Sequence, residues 1–66
     1  MDYVICVGIP RIKTSKAMLV DLVEPEKVTL WIPYKCLEYG NDESIVLHQE
    51  SELSIQDQLL INKSII

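Results

Sequence analysis

Apolar and polar residues alternate along most of the chain, a pattern typical of β-strands. Strands are predicted at about residues 3–9, 16–23, 28–32 and 44–49, separated by polar or proline-containing segments. Both faces of the first strand are apolar, which favours a central strand or one covered by a second copy of the chain. Pro10 is expected to end regular pairing, because proline lacks the backbone N–H that a ladder uses.

The last part of the chain changes to helical spacing. Ser54 is a typical N-cap residue, and Asp57 places a carboxylate in the first turn. Ile55 and Leu59 then lie four residues apart, so a helix is predicted at about residues 54–64. The predicted fold class is mostly β with one C-terminal helix. Its architecture is a small four-stranded curled sheet, or an SH3-like or OB-like barrel, capped by that helix.

A chain of 66 residues has room for a single small domain, residues 1–66, with a marginal core. Small chains often gain the stability that a small core lacks from disulfides, bound metals or oligomerisation. Cys6 and Cys36 both lie in apolar runs, so they are predicted to be reduced and buried. With His48 they are too few for a zinc site. No cofactor or metal is therefore predicted, and a homodimer is the expected source of extra stability.

The net charge of −4 is unevenly distributed, because Lys63 is the one basic residue among the acidic residues of 36–66. Phosphate backbones attract clustered Lys and Arg, so nucleic-acid binding is disfavoured. The N-terminus has no basic, apolar leader, and no apolar run approaches the roughly 20 residues of a membrane helix. The expectation is a soluble, cytoplasmic protein that does not contact membranes.

The residues that carry hydrolytic chemistry are sparse. The one histidine, His48, has no local signature that pairs it with a cysteine, and the two glycines form no phosphate-binding loop. The acidic residues around 42–43 and 50–52 lack the ligand pattern of a calcium site. No catalytic residue is therefore predicted. An enzyme that uses Cys36 and His48 remains a third, weaker hypothesis.

The densest candidate site surrounds the only tryptophan. Trp31 lies opposite the apolar face of its strand, so it is either a core residue, as expected from its average burial, or an anchor of an interface. The core interpretation is favoured. The candidate binding residues are Trp31, Tyr34, Lys35, Tyr39, Asp42 and Glu43.

Two short motifs carry a resemblance to known proteins. Lys16-Ala17 opens a strand, and Val28-Thr29-Leu30-Trp31-Ile32-Pro33-Tyr34-Lys35 follows after a turn. This resembles small phage and mobile-element β-domain proteins, which run K-A…(V/I)-W-I-P-K-S and end in a short apolar helix. The resemblance covers residues 16–60, with Tyr34-Lys35-Cys36 in place of the usual Lys-Ser-Gln. It implies a viral or plasmid accessory protein with an SH3-like or OB-like sheet.

These observations predict a non-enzymatic interaction protein, encoded by a phage, that binds and inhibits or modulates a host protein such as a defence factor. It is expected to act as a homodimer with Trp31 and Tyr34 near one interface. The alternative is an accessory module that binds single-stranded nucleic acid or a nucleotide. That module would combine the aromatic rings with Arg11, Lys13 and Lys35.

Overall fold

The computed structural model of the protein describes residues 2–38 and 45–63. Its strands are β1 (Tyr3–Lys13), β2 (Ala17–Glu24), β3 (Val28–Pro33) and β4 (Ser51–Gln56), followed by the helix α1 (Asp57–Asn62). The four strands form one antiparallel, curled sheet in the order β3-β2-β1-β4, which does not close into a barrel. The predicted mostly-β fold with one C-terminal helix is confirmed, in its curled-sheet form.

Strand β1 is central, and its two halves pair with different neighbours. Its first part, from Tyr3 to Gly8, pairs with β4, and its second part, from Val7 to Lys13, pairs with β2. Among the residues of β1, only Val7 and Gly8 are therefore paired with a strand on each side. β1 is the longest strand because it serves both neighbours in turn. β4 lies beside its first half, and the turn to β2 follows its second half.

The prediction that Pro10 ends pairing is wrong, because β1 continues to Lys13. The carbonyl oxygen of Pro10 accepts a hydrogen bond from the His48 N–H at 2.7 Å. The N–H and C=O of a strand residue point to the same side, so the N–H that Pro10 lacks would face residues 45–50, beyond the end of β4. No ladder bond is lost, and the register shift between Pro10 and Ile12 accommodates the proline.

The fourth strand was predicted in the wrong place. Residues 45–49 form no strand, since His48 has a φ of 66° in a turn, and the pairing strand is β4. Leu53 and Ile55 alternate there with polar residues, and both are buried. Residue 44 and the predicted turn at 40–43 lie outside the described residues.

The predicted start of the helix is also wrong. Ser54 is a buried residue of β4, and its hydroxyl donates to the Glu38 carboxylate at 2.8 Å instead of capping a helix. The helix begins at Asp57, after the N-cap Gln56, and the predicted residue 64 lies outside the described part. Leu60 of α1 is fully buried, so this short helix packs one side chain deep into the core.

The core lies on one face of the sheet. A 3-10 turn (Tyr34–Cys36) and α1 cover that face, and Leu37 reaches it from a bridge with Ile55. Both cysteines are buried and unbridged, as predicted. The buried hydrophobic residues are Cys6, Met18, Val20, Leu22, Leu30, Ile32, Cys36, Leu37, Leu53, Ile55 and Leu60.

Gly8 lies where β1 is flanked on both sides, and β2 approaches it closely. A Cβ atom at this position would lie 2.7 Å from Val20 Cγ1 and 3.2 Å from the carbonyl oxygen of Asp21. Valine is β-branched and has little rotamer freedom, so it cannot easily move away. The absence of a side chain at Gly8 therefore allows β1 and β2 to pack.

We predict that Gly8→Ala lowers the free energy of unfolding by about 1–3 kcal/mol, the usual cost of overpacking a core. Urea denaturation followed by circular dichroism measures it. Ser15→Ala, in the exposed turn before β2, is the control and should change stability by less than about 0.5 kcal/mol. Equal stability of Gly8→Ala and the unsubstituted protein would show that Val20 moves aside at no cost.

Candidate interaction surface

The face of the sheet opposite the core is rich in apolar side chains. We call it the outer face. Paired residues of neighbouring strands project to the same side, so the register identifies its members. Ile5 is the most exposed of them, at 63%. The apolar residues of the outer face include Tyr3, Ile5, Val7, Ile9, Ile12, Leu19 and Trp31.

Three of these residues form a row across three strands. Ile12 of β1 pairs with Leu19 of β2, and Leu19 pairs with Trp31 of β3. Ile12 is 48% exposed and Trp31 is 46% exposed, whereas Leu19 is half-buried between them. The interpretation of Trp31 as a core residue is therefore wrong. Its ring lies on the outer face, and Leu30 and Ile32 on either side of it supply the core.

A polar group lies beside this row. Asp21 accepts hydrogen bonds from the Thr29 hydroxyl at 2.5 Å and from Arg11 Nε at 2.6 Å. The Thr29 hydrogen bond and the Arg11 guanidinium lower the pKa of the Asp21 carboxyl, so it is ionised at neutral pH. This arrangement ties β1, β2 and β3 together and neutralises the charge of Asp21 locally.

Acidic side chains lie at the other end of the outer face. Val7 pairs with Glu24 on β2 and with Glu52 on β4, and both glutamates are exposed. Glu38 is also exposed and lies beside Ser54, which pairs with Ile5. The outer face therefore combines an apolar row with an acidic end.

The sequence-predicted site residues do not converge on one surface. Tyr34 is half-buried and packs against the core, and its hydroxyl donates to the Thr14 carbonyl oxygen at 2.8 Å. Lys35 is exposed, and with Tyr34 it lines a shallow cavity of about 440 Å³ that does not include Trp31. The remaining predicted residues, Tyr39, Asp42 and Glu43, lie outside the described residues.

The residues that sequence reasoning missed are the exposed isoleucines of β1. For Ile5, the available signal was the apolar character of both faces of the strand predicted at 3–9, whereas Ile12 lies beyond that predicted strand. That signal did not distinguish a strand buried on both sides from one with an open apolar face. Ile5 and Ile12 belong to the second kind.

Two of the three cations named in the nucleic-acid hypothesis are engaged within the protein. Arg11 is paired with Asp21, and the Lys13 ammonium donates to the carbonyl oxygen of Ile45. Phosphate binding requires several cations directed to one groove. Arg11 and Lys13 instead hold the sheet and the segment at 45–50 in place.

Cys6 and His48 lie in different environments. Cys6 is fully buried, and burial raises the pKa of its thiol, which disfavours the nucleophilic thiolate. His48 lies in an exposed turn beside Pro10. Within residues 2–38 and 45–63, no three His, Cys, Asp or Glu side chains are grouped to hold a metal ion.

Comparison with known proteins adds no relative, because no protein-family model, curated protein sequence or solved structure matches this chain. The helical part of the described chain contains no segment long and apolar enough to cross a membrane.

We predict that Thr29→Val and Arg11→Gln each raise the pKa of the Asp21 carboxyl toward its usual value of about 3.8. Each substitution removes a group that favours the ionised form. The pKa is measured from the side-chain carboxyl signal in an NMR titration. An unchanged pKa in both variants would show that neither contact persists in solution.

The lowered pKa also fixes the sign of a stability effect. Ionised Asp21 stabilises the folded state above its unfolded pKa, and this contribution is lost as the pH falls through the folded pKa. The difference in urea midpoint between the unsubstituted protein and Asp21→Asn should therefore be largest near neutral pH and shrink as the pH falls below 3.8, the ordinary pKa of an aspartate. A difference that grows on acidification would contradict this sign.

Proposed function

We propose that this protein is a non-enzymatic interaction protein that binds a host protein through the outer face and thereby inhibits or modulates it. The observation that carries the proposal is the row of Ile12, Leu19 and Trp31, together with the exposed Ile5. Contiguous exposed apolar side chains typically mark interaction sites, because burying them against a partner removes them from water. Tryptophan is among the residues that most often dominate such interfaces.

The charges on the outer face indicate the chemistry of the partner. Glu24 and Glu52 flank Val7 at one end, whereas Asp21 is already neutralised by Arg11. A partner surface with an apolar centre and Lys or Arg side chains at one border would complement this pattern. Such charges mainly affect the association rate and specificity, so binding should weaken moderately with salt.

The biological setting rests on the resemblance of the K-A and W-I-P motifs to phage and mobile-element β-domain proteins. A small accessory protein of this kind acts by occupying a surface of a host protein. The exposed apolar row of the outer face supports such a mode of action. Catalysis by Cys36 and His48 receives less support, since Cys36 is buried and His48 lies in an exposed turn.

The alternative, a module for single-stranded nucleic acid or nucleotides, also receives less support. Exposed Trp31 suits base stacking, but Arg11 and Lys13 are engaged within the protein. Titration of Trp31 fluorescence with oligonucleotides distinguishes the two functions. Salt-sensitive quenching at micromolar concentrations would favour the nucleic-acid module.

We predict that Ile12→Glu abolishes capture of the host partner, because it places a charge in the apolar row. Tagged protein is incubated with lysate of the bacterial host, and captured proteins are quantified by mass spectrometry. The matched control is Ile61→Glu. Ile61 has nearly the same exposed fraction as Ile12, at 50% against 48%. It lies on α1, which covers the opposite face of the sheet.

The proposal requires a stoichiometric partner that is retained by Ile61→Glu and lost with Ile12→Glu. Ile5→Glu should weaken capture as well, since Ile5 lies on the same face. Circular dichroism establishes that each variant is folded. Equal capture by all variants, or no stoichiometric partner at all, would contradict binding through the outer face.

A further inference from the structure

Within the described part of the chain, one edge of the sheet is covered and the other is unpaired. At the β4 edge, Leu37 forms a bridge with Ile55, and the Glu38 N–H donates to the Ser54 carbonyl oxygen at 2.9 Å. At the β3 edge, no strand within residues 2–38 and 45–63 pairs with the side away from β2. An open edge presents backbone donors and acceptors that another strand can pair with.

The register shows which backbone groups face the open edge. The Tyr34 N–H donates to the Lys16 carbonyl oxygen at 3.1 Å, and the pairing of β2 with β3 has no register shift. Backbone groups of successive strand residues alternate in direction. Thr29, Trp31 and Pro33 therefore direct theirs to the open side. Pro33 offers an acceptor only, and no ladder bond to β2 is lost there.

We propose that a second copy of this chain pairs with the β3 edge in antiparallel orientation, so that the two sheets join into one. The two-fold axis lies at Leu30, which places Thr29 of each copy opposite Trp31 of the other. Both residues have an N–H and a C=O, so each such pair exchanges two hydrogen bonds. An axis at Trp31 would instead place Thr29 opposite Pro33, which cannot donate.

The charges at the ends of β3 explain why the occupant is a second copy and why the pairing is antiparallel. Glu24 and Glu26 precede the strand and outnumber Lys27, whereas Lys35 follows it and Lys16 lies beside its end. Antiparallel pairing brings the acidic end of each strand to the basic end of the other. Parallel pairing would bring like charges together. Because one chain carries both ends, the edge is complementary to itself.

Pairing at this edge is independent of the proposed function. It uses backbone groups and the end charges of β3, whereas the proposed host interaction uses side chains of the outer face. Joining the sheets also places the two Trp31 rings on one continuous outer face. Failure of the edge pairing would leave the results with Ile12→Glu unchanged, so the two proposals fail separately.

The test is a charge swap measured by sedimentation velocity at low salt. Glu26→Lys and Lys35→Glu should each raise the Kd of the dimer by about 3- to 30-fold, because two symmetric ion pairs are replaced by repulsions. The double variant restores opposite charges and should return the Kd to near its original value. A folding defect in one variant would not be repaired by adding the other substitution. Ile5→Glu, distant from β3, is the control and should still dimerise.

Amide hydrogen exchange provides a second measurement on the unsubstituted protein. The Thr29 and Trp31 amides should exchange more slowly as the protein concentration rises and the edge becomes paired. A monomer at about 200 µM would overturn the proposal. A dimer in which both amides still exchange fast would also overturn the proposal. So would a dimer that is lost on Ile5→Glu, because the two copies would then meet through their outer faces. Protection that appears only with a host partner would identify that partner's strand as the occupant.

Discussion

The fold depends on the ability of β1 to pair on both sides. Its first half holds β4 and its second half holds β2, so the C-terminal part of the chain joins the sheet only through β1. The two sets of pairs overlap at Val7 and Gly8, where neighbouring strands crowd the chain most. The lack of a side chain at Gly8 permits the approach of Val20 at this crossing. Two register shifts in the pairing of β1 with β2, between Val7 and Gly8 and between Pro10 and Ile12, then let the sheet curl around its core.

The described residues cover the sheet on one side. One side receives the 3-10 turn, Leu37 and the six residues of α1, with Leu60 as the helix's fully buried contact. The described residues place no second layer on the outer face, where apolar side chains of β1 lie beside Trp31. Within the described residues, the apolar character of the outer face therefore does not come from packing against a second layer.

The sequence predicted the strands best where alternation was backed by clear turn residues, as in β2 and β3. It was wrong where two signals competed. Ile55 and Leu59 have helical spacing, but Leu53 and Ile55 also alternate with polar residues, and pairing with β1 favours the strand. The sequence predicts that pairing stops at Pro10, because the direction of its backbone cannot be known without the neighbouring strand. Similarly, the sequence favours a core position for Trp31, because a strand pattern divides residues between two faces but does not identify the buried one.

The position of Trp31 shows how closely structure and candidate function are linked in so small a protein. Its neighbours Leu30 and Ile32 fill the core, its side chain lies on the outer face, and its backbone faces the open edge. Removing the indole would therefore alter both candidate surfaces together, and a loss of binding would not say which surface was responsible. Ile12 and Lys35 separate them, because Ile12 lies on the outer face away from the edge strand and Lys35 lies at the end of that strand. The function of this sheet is therefore better resolved through the residues around its tryptophan than through the tryptophan itself.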